Sequence, residues 1–188
     1  MELKKRKMVL IDVETTGLDP EKHQLLSVGM LVIENLKIID KLEINIKHKD
    51  YYISPKALKT NKINILEHDE DAIESKQAAE EIIQFLEKNK SDDKFIVLGQ
   101  NVIFDRNFLE NFFIKEWKIK EYRSLIDYKS LDLMQLSLIR NIEGKIVLEK
   151  QDLDTILKSL DICIPETRHS ALVDCELEFE AFKRLINM

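Results

Sequence analysis

Three stretches near the amino terminus have the hydrophobic patterns of β-strands. Residues 9–13 and 25–33 are apolar and rich in β-branched side chains, which is typical of buried strands. Residues 37–46 alternate between apolar and polar side chains, after a turn signal at Glu34 and Asn35. We therefore expect three strands joined as an antiparallel meander.

Later stretches alternate between helical and strand patterns. Apolar residues recur with helical spacing in five stretches, residues 74–88, 105–117, 132–140, 153–160 and 171–186. Phe95–Gly99 is a short apolar run, typical of a central strand. Residues 48–72 are polar and irregular, and they predict a connection with a helical turn at residues 55–59. This succession predicts an α/β domain with a mixed central sheet flanked by helices.

Length and composition narrow the class of protein. The chain has 188 residues, of which 44% are hydrophobic, and neither linkers nor repeats interrupt it, so we expect a single domain over residues 1–188. The formal net charge of −6 argues against a protein that coats nucleic acid through a broad basic surface, but not against a nuclease. The sequence has no secretory signal and no apolar run of membrane length, which predicts a cytoplasmic protein without membrane contact.

Some charged or reactive residues are expected to have structural roles only. The basic residues 4–7 would be a solvated lead-in to the first strand, and Cys163 and Cys175 would be reduced core residues. The cluster at residues 68–71 (His-Asp-Glu-Asp) would precede a helix rather than hold a metal, because acids interact favourably with the dipole of a helix N-terminus.

Asp12 and Glu14 place two carboxylates at the end of the first strand. Because side chains alternate along a strand, both point the same way while Val13 points into the core. Neighbouring carboxylates repel each other, and their burial is costly unless positive charge compensates, which a divalent cation could provide. The following Thr15-Thr16-Gly17-Leu18 ends the strand in a turn, a common position for binding sites. A half-solvated strand face would produce the same pair of acids.

Two more acids and a histidine follow later in the chain. Asp105 comes shortly after the strand end at Gly99, near the start of a helix whose dipole favours an anion. Asp174 falls among core-type residues of the last helix, where an acid needs a partner. A continuous helix would turn His169 about 140° away from Asp174, so we place His169 on the loop before that helix. Taken singly, each of these residues also fits a cap or surface position.

Together these segments match the three motifs of a known family in order. Residues 12–17 (Asp-Val-Glu-Thr-Thr-Gly), 101–105 (Asn-Val-Ile-Phe-Asp) and 169–174 (His-Ser-Ala-Leu-Val-Asp) resemble those of the DEDD superfamily of 3′-to-5′ exonucleases. This group includes the proofreading subunit of bacterial replicative polymerase, ribonuclease T and oligoribonuclease. One branch of the superfamily has a tyrosine four residues before the last aspartate, and the other has a histidine five residues before it. This chain has Ser170 at the first position and His169 at the second, so the resemblance is to the histidine branch. It implies a ribonuclease H-like fold.

The resemblance also implies roles for individual residues. Four carboxylates would be catalytic and would hold two divalent cations, Mg²⁺ or Mn²⁺, namely those of Asp12, Glu14, Asp105 and Asp174. His169 would be the general base, because imidazole can take a proton from water near neutral pH. The substrate's 3′ end would be bound by Thr15, Thr16, Gly17, Leu18, Asn101 and Phe104. For Phe104 a core position is an equal alternative.

The expected substrate is single-stranded DNA or RNA with a free 3′ end, from which nucleoside monophosphates would be released. Proofreading of DNA is slightly favoured, RNA trimming is the alternative, and a polymerase is a candidate partner. An aspartate-dependent phosphatase or phosphotransferase would need a nucleophile loop or a glycine-rich phosphate cradle, and neither is found. A polymerase-associated binding module with a decayed site stays open as the non-enzymatic alternative.

Overall fold

The computed structural model, which describes residues 6–61, 63–165 and 170–188, has a six-stranded sheet at its centre. The strands are β1 (Met8–Thr15), β2 (Leu25–Glu34), β3 (Lys37–Lys47), β4 (Ile73–Glu74), β5 (Phe95–Gly99) and β6 (Ile126–Asp132). Their order across the sheet is β4-β3-β2-β1-β5-β6. The first three strands form the predicted antiparallel meander, whereas β5 runs parallel to β1 and β6 parallel to β5. The predicted mixed sheet is confirmed.

Helices connect and cover the strands. They are α1 (Pro55–Asn61), α2 (Ile65–Asp71), α3 (Ser75–Asn89), α4 (Ile103–Lys115), α5 (Ile119–Leu125), α6 (Leu133–Ile142), α7 (Leu153–Ser159) and α8 (Ala171–Ile186). The five predicted helices and the helical turn are present with bounds shifted by at most two residues. The elements α2, β4, α5 and β6 are additional to the prediction.

Alternation of side chains along β1 divides the sheet into two packed faces. Val9, Ile11 and Val13 belong to a core cluster that also contains buried side chains of α3, α4 and α5. Leu10 belongs to a second cluster, on the face covered by α6, α7 and α8. Asp12 follows Leu10 by two residues, so it shares the face covered by α8. The prediction that Val13 points into the core, opposite to the acids, is confirmed.

Two expectations about single residues were wrong. Arg6 is not part of a solvated lead-in, because it is only 6% exposed and its guanidinium donates to Asp127 Oδ2 at 2.6 Å and to the Lys94 carbonyl. Cys163 is exposed rather than in the core, whereas Cys175 is buried as predicted, and both are free thiols.

The acidic cluster at residues 68–71 precedes α3 as predicted, but it lies within the additional helix α2. His68 Nε2 lies 3.0 Å from the carbonyl oxygen of Leu26, the additional residue of a bulge in β2. Asp69 accepts a hydrogen bond from the Tyr51 hydroxyl at 2.6 Å. These contacts fasten α2 to β2 and to the loop after β3, so the cluster has the structural role that was expected, by a different geometry.

Candidate active site

An acidic cluster forms where the first strand meets the last helix. Asp12 and Glu14 lie on the face of β1 that α8 covers, and Asp174 lies in the first turn of α8, only 7% exposed. Each of the three offers a carboxylate oxygen, and these oxygens all lie within 4.8 Å of one another. The structure therefore brings together predicted site residues from the two ends of the chain.

A glycine on β2 allows α8 to approach the strand that carries the acids. Gly29 is the register partner of Asp12. A Cβ atom added to Gly29 would lie 2.4 Å from the backbone carbonyl carbon and oxygen of Ala171, the first residue of α8. Gly29 thus sets how closely Asp174 can approach Asp12. The sequence reasoning missed Gly29, because a glycine inside a buried strand gives no sign of the helix that crosses it.

Two side chains hold the start of α8 in place. Ser170 is the N-cap, and its hydroxyl accepts a hydrogen bond from the Val173 N–H at 3.4 Å. The same hydroxyl donates to Glu43 Oε1 at 2.6 Å, and that oxygen also accepts the Leu172 N–H at 3.3 Å. The first N–H groups of a helix lack acceptors within the helix. Glu43, on β3, therefore satisfies one of them and ties the start of α8 to the sheet.

Asp105 reaches the site from the opposite face of the sheet. It lies in the first turn of α4, is 3% exposed, and its Oδ1 accepts the Val13 N–H at 3.1 Å. The pairing of β1 with β5 ends at Leu10 and Leu98, so Asp105 satisfies a strand N–H beyond the last paired residue. Asp105 therefore contacts β1 between the two strand acids, although it is not part of the group within 4.8 Å.

A fifth carboxylate, Glu178, was missed by the sequence reasoning. It lies on α8 one turn after Asp174, is 2% exposed, and its Oε2 accepts the Gln100 N–H at 3.1 Å. The only signal in the sequence is the four-residue spacing from Asp174, which places both side chains on one helix face. Glutamates of this helix can equally face solvent, as Glu176 does.

Burial raises the pKa values of Asp12, Asp105 and Glu178 well above their usual range. Neighbouring negative charge adds to this, and for Asp12 the charge of Glu178 is the strongest such contribution. The Val13 N–H acts in the opposite direction on the pKa of Asp105. Within the described parts of the chain, no lysine or arginine forms an ion pair with these three acids. Their ionisation is therefore unfavourable unless a cation is supplied.

The donors fit a hard divalent metal ion. Carboxylate oxygens bound to one Mg²⁺ or Ca²⁺ lie about 3 to 5 Å apart, given the usual metal–oxygen distances. The oxygens of Asp12, Glu14 and Asp174 all lie within 4.8 Å of one another, which is within this range for Ca²⁺ and slightly wider than the distance of about 4.2 Å across Mg²⁺. Oxygen donors without histidine or cysteine favour Mg²⁺ or Mn²⁺ over softer metals. The acidic cluster is therefore suited to divalent cations.

The hydroxyl groups of the turn after β1 are engaged within the turn. Thr15 Oγ1 donates to the Gly17 carbonyl at 2.7 Å. Thr16 Oγ1 accepts the Gln24 N–H at 2.8 Å, and the Thr16 N–H donates to the Gln24 carbonyl at 2.9 Å. These bonds hold the turn in shape and engage both hydroxyl groups within it.

Gly17 and Leu18 occupy the outer part of this turn. A Cβ atom added to Gly17 would overlap the ring of His23, so this glycine makes room for an imidazole of the same turn. Leu18 is 74% exposed. Of the four predicted substrate-binding residues in the turn, Leu18 is the one whose side chain is open to a ligand.

The second predicted motif is held by an aspartate at the end of β6. Asp132 accepts the N–H groups of Asn101 and Val102 at 3.1 and 3.2 Å, and Asn101 has a positive φ of 55°. Asp132 was predicted only as the start of a helix. Phe104 packs against the core, with its ring centroid 4.9 Å from that of Phe108. Phe104 is thus half-buried against the core, and its contact with a base stays a prediction.

The predicted general base, His169, lies outside the described residues. It immediately precedes Ser170, the N-cap of α8, whose hydroxyl bonds to Glu43. Its role stays a prediction from the third motif.

Comparison with known proteins supplies the family. Residues 9–182 match the family model RNase_T, which is described as an exonuclease family. The chain belongs to this family of exonucleases. It is a 3′-to-5′ exonuclease of the DEDD superfamily, so the resemblance predicted from the three motifs is confirmed. Exonucleases of this superfamily use divalent metal ions, in agreement with the donor set of the acidic cluster.

Relatives of this exonuclease have names that refer to both RNA and DNA. Ribonuclease T of Wigglesworthia glossinidia brevipalpis is 31% identical over 188 residues, which cover 95% of this chain and 84% of the relative. A PolC-type DNA polymerase III of Thermotoga maritima is 27% identical over 184 residues, or 96% of this chain but only 12% of the relative. An oligoribonuclease of Photorhabdus laumondii is 27% identical over 139 residues, covering 69% of this chain and 72% of the relative.

Solved structures show the same fold. Escherichia coli exonuclease I in complex with a dT13 oligonucleotide has a TM-score of 0.82 and 17% identity, over 96% of this chain and 41% of that chain. The zinc ion bound form of the same enzyme with single-stranded DNA has a TM-score of 0.81 and 18% identity. The predicted ribonuclease H-like architecture is therefore confirmed. Among the described residues of this exonuclease, no helix combines the length and apolar character needed to cross a bilayer.

Proposed function

We propose that this exonuclease releases nucleoside monophosphates from the free 3′ end of single-stranded nucleic acid, with DNA as the preferred substrate, and that residues 1–188 act as a single domain. The observation that carries the proposal is the convergence of Asp12, Glu14 and Asp174 within 4.8 Å in a chain of an exonuclease family. Three carboxylates at one point suit phosphodiester hydrolysis assisted by metal ions.

Four carboxylates would hold two divalent cations, Mg²⁺ or Mn²⁺, in this proposal: Asp12, Glu14, Asp105 and Asp174. Such cations supply charge that activates the attacking water and stabilises the departing 3′ oxygen. The chain keeps the donors in fixed positions before any ligand binds. Pairing with β2 orients the strand acids, the capped start of α8 orients Asp174, and the Val13 N–H orients Asp105.

His169 would accept the proton of the attacking water on a ring nitrogen, since imidazole titrates near neutral pH. Leu18 would lie against the base of the terminal nucleotide, for which its exposed side chain is suited. Gly17 and the backbone of Thr15, Thr16 and Asn101 would line the position of the terminal sugar.

The preference for DNA is supported by the PolC-type relatives and by the likeness to exonuclease I, which was crystallised with a dT13 oligonucleotide. RNA is the alternative, and it is supported by ribonuclease T, which is 31% identical over 84% of its own length. The two substrates differ in the 2′-hydroxyl, so the choice depends on how the site receives that group. A polymerase is a candidate partner, since a similar segment forms 12% of the PolC-type relative.

The test compares matched single-stranded DNA, single-stranded RNA and duplex oligonucleotides, each labelled at the 5′ end, in Mg²⁺, Mn²⁺ or EDTA. We expect shortening by single nucleotides from the 3′ end, fastest on single-stranded DNA and stopped by EDTA. An oligonucleotide with a blocked 3′ end controls for internal cleavage. Faster degradation of RNA would favour the alternative substrate. Binding without cleavage in both metals would contradict the proposal and support a decayed binding module.

A further inference from the structure

Glu178 is the most deeply buried acidic residue in the described parts of the chain, and the three motifs assign it no role. It lies on α8 one turn after Asp174, on the face turned toward β1. Its Oε2 accepts the N–H of Gln100, the residue that follows β5 and leads into the turn before α4. Glu178 therefore joins the helix that carries Asp174 to the turn that leads to Asp105.

The hydrogen bond to Gln100 does not by itself require a glutamate. A glutamine at this position would accept the same N–H and would avoid the burial of a charge next to other carboxylates. What glutamate adds is a carboxylate that can carry negative charge, held one helix turn from Asp174 and only 2% exposed. The capacity for negative charge next to the acidic cluster is thus the property that distinguishes Glu178 from a neutral residue of the same shape.

The affinity of a carboxylate site for hard cations depends on the number of negative charges and on the rigidity of the site. Glu178 contributes to both, through a buried carboxylate one helix turn from Asp174 and through the link from α8 to Gln100. We propose that Glu178 is a positioning residue of the exonuclease site, which raises the affinity of the acidic cluster for divalent cations without contacting the substrate. This inference rests on the proposed function.

Two substitutions separate the charge of Glu178 from its hydrogen bond. Glu178→Gln keeps the acceptor for the Gln100 N–H and nearly the same volume but removes the charge, whereas Glu178→Leu removes both. Glu176→Gln is the matched control, because Glu176 lies on the same helix, faces solvent and pairs with Lys41 at 3.3 Å. Each variant is unfolded thermally in EDTA and at increasing Mn²⁺ concentrations, and its rate on labelled single-stranded DNA is measured over the same concentrations.

In EDTA, the Glu178→Gln variant should unfold at the same temperature as the wild type or higher, since it lacks a buried charge. It should gain roughly 3 to 6 °C less than the wild type when Mn²⁺ is added. It should also need roughly 10- to 100-fold more Mn²⁺ to reach half of its own maximal rate, as is usual for residues that support metal ligands. Glu178→Leu should in addition unfold earlier in EDTA, and Glu176→Gln should behave as the wild type.

The inference would be overturned if the wild type and Glu178→Gln needed the same Mn²⁺ concentration for activity and gained equally in unfolding temperature from Mn²⁺. Glu178 would then be only a hydrogen-bond acceptor. That result would leave the proposed function intact, because the wild type would still bind Mn²⁺ and degrade DNA. A wild-type protein that gains no stability from Mn²⁺ and degrades no oligonucleotide would overturn the proposed function, and this inference with it.

Discussion

Charged side chains lie near both ends of β1, the buried Arg6 before it and the half-buried Asp12 near its other end, but they are compensated in different ways. Just before the strand, the Arg6 guanidinium donates to Asp127 Oδ2 at 2.6 Å and to the Lys94 carbonyl. Near the other end, Asp12 lies among carboxylates that raise its pKa, Glu178 foremost after burial itself. The first charge is paired with an acid of opposite sign within the chain, whereas the described residues around the second provide more charge of the same sign.

This difference distinguishes a charge that stabilises the fold from one that prepares a binding site. A buried ion contributes to a stable fold only when its partners satisfy it, and the loss of one partner is then strongly destabilising. A buried acid without such a partner lowers stability until a cation binds. Neutralising substitutions should therefore have opposite effects on stability at the two ends of β1.

The largest expected effect is that of Asp12→Asn on activity. If Asp12 is a metal ligand as proposed, its loss removes several kcal/mol of transition-state stabilisation, so the rate on single-stranded DNA should fall roughly 10³-fold. In EDTA the variant should be at least as stable as the wild type, because a buried charge is gone. Initial rates and thermal unfolding with EDTA or Mn²⁺ measure both effects, and a variant that keeps the full stabilisation by Mn²⁺ would contradict the role of Asp12.

His169→Gln, compared with Asp12→Asn, separates an effect on proton transfer from an effect on metal binding. Loss of the proposed general base should lower turnover by roughly 10² to 10⁴-fold while leaving the stabilisation by Mn²⁺ largely intact, since the acidic cluster is unchanged. Full activity of His169→Ala at neutral pH would show that another group takes the proton.

The next effect, at the opposite end of β1, is on stability. Arg6→Met should lower the free energy of unfolding by about 3 kcal/mol, because Asp127 and the Lys94 carbonyl lose a buried partner. Urea unfolding in Mn²⁺ measures this, and the Mn²⁺ requirement for activity should not change. Arg123→Met is the control, since Arg123 is 60% exposed in its ion pair with Glu110 and exposed pairs contribute little to stability. Equal losses for both variants would show that the Arg6 pair is no more than a surface contact.

The sequence predicted the arrangement of Asp12 and Glu14 in β1 better than the burial of Arg6 before that strand. Strand alternation alone placed Asp12 and Glu14 on one face, and the motif order linked them to Asp174. Arg6, in contrast, reads as one of four basic residues before a strand. Its burial depends on Asp127 in β6, an edge strand with mostly exposed side chains that no hydrophobic pattern reveals. The helix α2 was missed for the same reason, because none of its residues with described side chains is buried.

Glu178 and Gly29 could not be identified from the sequence because their importance arises from packing between distant elements. A glutamate four residues after Asp174 is compatible with solvent exposure, and it becomes buried only because α8 lies directly on β2. That approach depends in turn on the missing side chain of Gly29. Periodicity describes which face a residue occupies, but not how closely another element approaches that face.

A smaller effect is expected from Gly29→Ala. This variant tests how far Mn²⁺ binding by the acidic cluster depends on the position of α8. The added methyl group would overlap the Ala171 carbonyl, so stability should fall by about 1 to 3 kcal/mol and the Mn²⁺ requirement should rise as Asp174 is displaced. The control is Gly144→Ala. Gly144 has a positive φ of 71°, so alanine is unfavourable there by about 1 kcal/mol, and an added Cβ would have no atom within 4 Å. Urea unfolding and Mn²⁺ titrations of both variants would show whether destabilisation alone alters metal use.

The smallest expected effect is the dependence of stability on pH, and its sign differs between the two ends. In EDTA the native pKa values of Asp12, Asp105 and Glu178 lie above their unfolded values of about 3.9 to 4.3. The native state then binds more protons than the unfolded state, so the stability that these groups contribute is complete below about pH 4 and is lost as the pH rises through the raised values. For Asp127, the hydrogen bond from Arg6 lowers the pKa, so its contribution is complete above about pH 4 and is lost as the pH falls through the lowered value.

Urea midpoints between pH 3 and pH 8 in EDTA should therefore separate the two ends. Each group changes the free energy of unfolding by at most about 1.4 kcal/mol per pH unit. Asp12→Asn should reduce the loss of stability toward high pH, Arg6→Met should reduce the loss toward low pH, and saturating Mn²⁺ should remove the high-pH loss because bound cations favour the ionised acids. The contrary result would be equal losses of stability above pH 5 in EDTA for the wild type and Asp12→Asn. It would mean that the charge of Asp12 is compensated within the chain, as that of Arg6 is.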